Sequence, residues 1–93
     1  MGDEPKGLKV EFPKEMRTGL YSNNMVVAHT REEFILDFIM MAPPSGTVVS
    51  RIVMSPGHIK RVIHALQENL AKYEAKFGAI PTPETPTPEL TLQ

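Results

Sequence analysis

The side chains best suited to chemistry in this chain are three histidines, two adjacent glutamates and two serines, and their spacing does not assemble them into a site. His58 and His64 lie six residues apart in a segment of helical periodicity, so they point to different sides, while His29 falls at a strand end. Metal-ligand spacing is therefore absent. His58 reads as part of a first helical turn and His64 as a solvated partner of Glu68. Glu32 and Glu33 are neighbours that point to opposite faces of an extended chain, unlike the facing carboxylates of a glycosidase. Ser50 and Ser55 have no positioned base, and Ser55 is placed to cap a helix. Gly46 and Gly57 are isolated, with no glycine-rich phosphate loop. The chain has no cysteine, which excludes a thiol nucleophile, a disulfide framework, a zinc ribbon and a redox pair. These observations predict a protein that is not an enzyme, with no catalytic residue, bound metal or cofactor.

Charge narrows the partners. Ten basic and eleven acidic residues leave a formal charge of −1, so no global field draws the chain to nucleic acid or to an anionic membrane. A local patch is conceivable: Lys60, Arg61, His64 and Lys72 lie on one helix, Arg31 lies in a turn, and a dimer would double them. This is the alternative reading, a dimeric nucleic-acid-binding protein using the basic helix face and the sheet. Against it, Glu32, Glu33, Glu68 and Glu74 dilute the field, and Tyr21 is the one aromatic residue expected exposed on a strand. The first reading is a non-catalytic interaction or structural module.

The segments that must position these residues divide the 93-residue chain into a polar, flexible N-terminus (residues 1–7), a single folding unit (8–78) and a Thr/Pro-rich tail (79–93). In the tail, repeated Thr-Pro with interspersed acid fixes φ, removes donors and offers nothing apolar to bury. The longest apolar stretch, Phe34 to Ala42, is interrupted by Asp37 and is far short of the roughly 20 residues that span a bilayer. The first residues lack the basic-then-apolar run of a secretory signal. A cytoplasmic protein without a membrane partner is expected.

Within the folding unit, Leu20 to His29, Glu33 to Met41 and Thr47 to Met54 read as three strands, and Leu8 to Phe12 as a possible fourth at an edge. The Pro43-Pro44 loop breaks the ladder between the second and third. Ser55 as N-cap, Pro56 at the first position and Gly78 after Phe77 delimit a helix. Its apolar stripe is Ile59, Val62, Ile63, Leu66, Leu70, Tyr73 and Phe77. The fold class is α+β: an antiparallel meander of three to four strands followed by one long C-terminal helix packed on one sheet face.

Setting Met41 opposite Thr47 across the hairpin places Asp37 opposite Arg51, so that a charge within an apolar strand meets its counter-charge. Phe34, Leu36, Phe38 and Met40 then form the expected seat of the helix. Continuing the meander sets Val27 near Ile35 and Met25 near Asp37. The second face would carry Met25, Val27, Ile35, Asp37, Ile39, Val49, Arg51 and Val53, with Met41 at its margin, and one helix cannot cover both faces. This face is the expected homo-oligomer interface, in a dimer or tetramer. The bland alternative lays Leu8 to Met16 over it in a monomer.

From Gly19 to Gly78 the ordered pieces Gly19-Leu20-Tyr21-Ser22-Asn23, Glu33-Phe34-Ile35-Leu36-Asp37-Phe38, Ser50-Arg51-Ile52-Val53-Met54-Ser55-Pro56 and His58-Ile59-Lys60-Arg61 lead into Ala65-Leu66-Gln67-Glu68-Asn69-Leu70, Tyr73-Glu74 and Phe77-Gly78. In that order they resemble the small prokaryotic family called domain of unknown function 3467. Gly57 departs from the pattern, where a larger polar residue is expected. The resemblance implies no activity. It marks Asp37, Ser50, Arg51, His58, Lys60, Arg61, Gln67, Glu68 and Asn69 as positions to test.

Overall fold

The computed structural model describes residues 7–82. The expected flexible N-terminus, apart from Gly7, and the Thr/Pro-rich tail from residue 83 onward lie outside the described residues. Three antiparallel strands, β1 (Asn24–His29), β2 (Phe34–Ala42) and β3 (Ser45–Met54), form one open sheet in the order β1-β2-β3, and α1 (Pro56–Phe77) follows. The α+β class and the meander are as the sequence predicts.

Leu8 to Phe12 is not a strand. It runs as exposed irregular chain, because Leu8, Val10 and Phe12 find no neighbouring ladder and Pro13 ends the run. A short 3₁₀ turn, Lys14–Met16, follows, with the amide of Met16 donating to the carbonyl of Pro13 at 3.0 Å.

The β2–β3 hairpin keeps the expected register from Phe34 opposite Met54 to Phe38 opposite Ser50, with Asp37 opposite Arg51. Beyond Phe38 the register shifts by one: Ile39 faces Val48, Met40 faces Thr47 and Met41 faces Gly46. Val49 is the extra residue of a β-bulge. The expectation of Met41 opposite Thr47 therefore fails, although the pair it was used to place is correct. The turn explains the shift: Ala42 pairs with Ser45, so only Pro43 and Pro44, joined by a cis bond, connect the strands. Compared with the expected loop, one residue (Ala42) passes to β2 and two (Ser45 and Gly46) pass to β3, and the odd residue is taken up by the bulge. Gly46 suits its place, since a Cβ there would lie 3.0 Å from Sδ of Met41.

The β1–β2 hairpin is off by one throughout. Val26, not Met25, stands opposite Asp37, while Met25 faces Phe38 and Val27 faces Leu36. The amide of Thr30 donates to the carbonyl of Glu33 at 2.9 Å, and Oγ1 of Thr30 accepts from the amides of Glu32 and Glu33. The turn thus closes Thr30 on Glu33 and leaves Arg31 and Glu32 at its tip, so β2 begins one residue later than the sequence pattern suggests. In a strand a slip of one residue moves every side chain to the opposite face.

The helix begins and ends as expected. Oγ of Ser55 accepts from the amide of His58 at 3.2 Å, and Gly78, at φ 96°, donates to the carbonyl of Glu74. Positive φ at that cap favours glycine. The expected packing of the stripe on the sheet is not observed. No α1 residue is buried, and only Ile59, Val62 and Glu74 are half-buried. The helix leaves the sheet after its first turns and carries most of its apolar face in the open.

Candidate functional site

The centre of the sheet is an ion pair. Asp37, on the middle strand, is 2% exposed, and both its oxygens accept from Arg51: Nε to Oδ1 at 2.7 Å and Nη2 to Oδ2 at 2.9 Å. This fork-to-fork geometry is the strongest a carboxylate makes with a side chain. The Arg51 side chain remains 60% exposed, so the pair has a closed end on β2 and a wet end on β3. Its hydrogen bonds hold the Asp37 carboxyl below its ordinary range and raise the guanidinium further. A carboxylate saturated in this way serves as a fixed counter-charge and has no proton to donate near neutrality.

Ile35, Asp37, Ile39, Arg51 and Val53 share the Asp37 face, as expected, and Val48 stands opposite Ile39 in the place expected of Val49. Met25 and Val27 lie on the other face, paired with Phe38 and Leu36. The eight-residue surface proposed from the sequence is therefore split in two. Ile39 is also buried within its own chain, so it contributes to the core. With Leu36 it makes up the buried hydrophobic core among the described residues.

On the Phe38 face, Met16, Gly19, Leu20, Ser22, Val49 and Ser50 join Phe38 in lining a shallow depression of about 280 Å³. Met16 and the segment after the 3₁₀ turn reach this face, whereas the monomeric alternative laid Leu8 to Met16 over the other. Two polar residues hold that segment down. The hydroxyl of Ser22 is shared between the carbonyls of Asn24 and Ile39. Asn23 donates its backbone amide to the carbonyl of Ile39, and its side chain both donates to the carbonyl of Met41 at 3.0 Å and accepts from the amide of Met41 at 2.7 Å. An asparagine side chain here completes the ladder in place of backbone. Sequence reasoning missed this role, although Asn23, just before an apolar run, is the residue type that does it.

Of the residues considered for nucleic acid, one lies in a turn and four lie on the helix. Arg31 sits in the β1–β2 turn, and Lys60, Arg61, His64 and Lys72 are exposed along α1. Nε2 of His64 lies 3.2 Å from a carboxylate oxygen of Glu68, as the i, i+4 spacing predicts. His29 packs its ring 5.5 Å from that of Phe34. Among the described residues no three His, Asp or Glu side chains form a group that could hold a metal ion, and no helix is long and apolar enough to cross a membrane.

The helix also carries exposed apolar surface. Ile63, Leu66, Leu70, Tyr73 and Phe77 are each 47–65% exposed, and the rings of Tyr73 and Phe77 lie tilted at 46° with their centroids 5.0 Å apart. A meander braced by a central Asp–Arg pair and followed by a free amphipathic helix is the architecture of this chain. Residues 1–82 match the family described as "Protein of unknown function (DUF3467)", and the chain belongs to that family. The match extends upstream of Gly19, where the sequence resemblance began. No curated protein and no solved structure matches it.

Proposed function

We propose that this protein is a non-catalytic assembly module that works as a homo-oligomer and offers apolar surface to other copies of itself. The observation that carries this reading is the helix: capped at both ends, amphipathic, and without one buried side chain. A half-exposed aliphatic or aromatic side chain that becomes buried gains roughly 1 kcal/mol. Five of them are on the scale of the whole stability of a small domain, about 5 kcal/mol at the low end. A chain whose described residues bury only Leu36, Asp37 and Ile39 has that reason to associate. A reducing cytoplasm suits a protein without cysteine.

Sedimentation equilibrium of the full chain at micromolar concentration is the test. The expected mass is at least twice the 10.4 kDa of one chain. A single 10.4 kDa species that still unfolds cooperatively would overturn the proposal.

A further inference from the structure

The helix stripe carries more information than its amphipathicity. Ile59, Ile63, Leu66, Leu70, Tyr73 and Phe77 follow one another at spacings of 4, 3, 4, 3 and 4 residues, the a/d alternation of a two-stranded coiled coil. Strictly periodic seams of this kind wind around another helix, and among the described residues α1 has no other α-helix beside it. We propose that α1 pairs with α1 of a second copy in an antiparallel coiled coil centred at the level of Glu68. The inference rests on the self-association reading and specifies its surface and orientation.

Orientation follows from what flanks the seam. In the antiparallel pair, Ile59 layers on the partner's Phe77, Ile63 on the partner's Tyr73 and Leu66 on the partner's Leu70, so each large ring meets a smaller aliphatic group and the layers fill evenly. On one flank Lys60 meets the partner's Glu74 at each end of the pair, with Gln67 facing its own copy between them. On the other flank Asn69 faces Asn69, and the aliphatic stem of Lys76 lies along Val62. Lys60 and Glu74 thus each find the opposite sign, a flanking charge pair of the kind that sets orientation. A parallel pair would stack Phe77 on Phe77 and Tyr73 on Tyr73, set Asn69 beside Glu74, and leave Lys60 with no acidic group across the seam. Antiparallel macrodipoles add a small contribution in the same direction. The outer surface, with His64 beside Glu68, stays in water.

The test is a charge swap read by sedimentation of the full chain. Lys60→Glu places like charges against Glu74 at both ends, and Glu74→Lys does the same against Lys60. Each turns two attractions into two repulsions, and each is expected to weaken self-association about tenfold. Glu74 also accepts from the amide of Ile80 at 2.9 Å, so its single variant includes a local loss. The double variant Lys60→Glu with Glu74→Lys is the deciding one, and it should return to within about threefold of the parent. Because the chain has no cysteine, His58→Cys can carry one nitroxide per copy. At 1.5 Å rise per residue the two labels should lie about 30 Å apart along the antiparallel pair. Labels within roughly 20 Å, as side-by-side N-termini would give, would overturn the orientation. An oligomer whose affinity ignores all three charge variants overturns this inference alone, whereas a monomeric parent overturns it together with the proposed function.

Discussion

In the sheet, Leu36 and Ile39 are buried and the carboxylate of Asp37 is closed by a guanidinium, whereas the 22-residue helix beside it has well-formed ends and no buried side chain. The sheet is held by contacts between residues far apart in sequence: Asp37 with Arg51, Asn23 with Met41. The helix is held by contacts within four residues, such as Ser55 with the amide of His58 and His64 with Glu68. The difference teaches where each region gets its stability. Among the described residues no buried side-chain polar atom is left unpaired, while the helix has local order and lacks the tertiary burial that normally stabilises helices.

Cutting into the buried centre should do the most damage. Leu36→Ala is expected to cost about 2–5 kcal/mol, enough to unfold much of the population at room temperature, measured by urea denaturation. The same truncation at the exposed Leu66 should change the stability of dilute protein by less than about 0.5 kcal/mol and lower the denaturation midpoint only at concentrations where copies associate. Equal losses at both sites in dilute solution would erase the contrast between the two regions.

The ion pair sharpens the comparison. Asp37→Ala leaves Arg51 without its counter-charge and should lower the melting temperature by more than about 5 °C; a melting curve unchanged from the parent would show that the pair braces nothing. The pH dependence has a definite sign. The Asp37 carboxyl titrates lower in the folded chain than its ordinary value of 3.8. Its contribution is therefore fully present above that value and disappears as pH falls through the lower folded value. Comparing the parent with Asp37→Asn by thermal melts between pH 6 and pH 2 should show the gap between them narrowing as the solution is acidified below about pH 4.

At the helix cap the expected effect is local. Ser55→Ala removes the acceptor for the amide of His58 and should cost about 1 kcal/mol. Because the helix is locally held, the loss should appear as fraying of its first turn in amide hydrogen exchange, with protection in β2 unchanged.

The helix was legible in the sequence because its signals are local: Ser55, Pro56 and Gly78 mark its ends with no help from the rest of the chain. The Asp37–Arg51 pair was legible for another reason, since a charge inside an apolar strand must be answered by a neighbour. Strand register was legible only in part. It depended on two turn lengths, and a chain closing Thr30 on Glu33 or Ala42 on Ser45 looks much like one closing a residue earlier or later. That ambiguity put Met25 and Val27 on the wrong face. Val49 was misplaced because a bulge has no sequence signature beyond the β-branched run in which it hides. The free position of the helix was not legible at all, since an amphipathic stripe says that something covers it and is silent on whether the cover belongs to the same chain.

The extra residue at Val49 also bears on how copies of this protein avoid the wrong kind of contact. β3 is an outer strand, and an uninterrupted ten-residue outer strand would offer a long row of outward amides and carbonyls on which any extended peptide could zip. The bulge breaks that row midway and twists the chain there, leaving two short runs in place of one template. At the opposite border β1 is only six residues long. Lateral growth of the sheet into a fibre is thereby discouraged on both sides, and a concentrated solution of this protein should stay clear where a flat, regular border would seed precipitation.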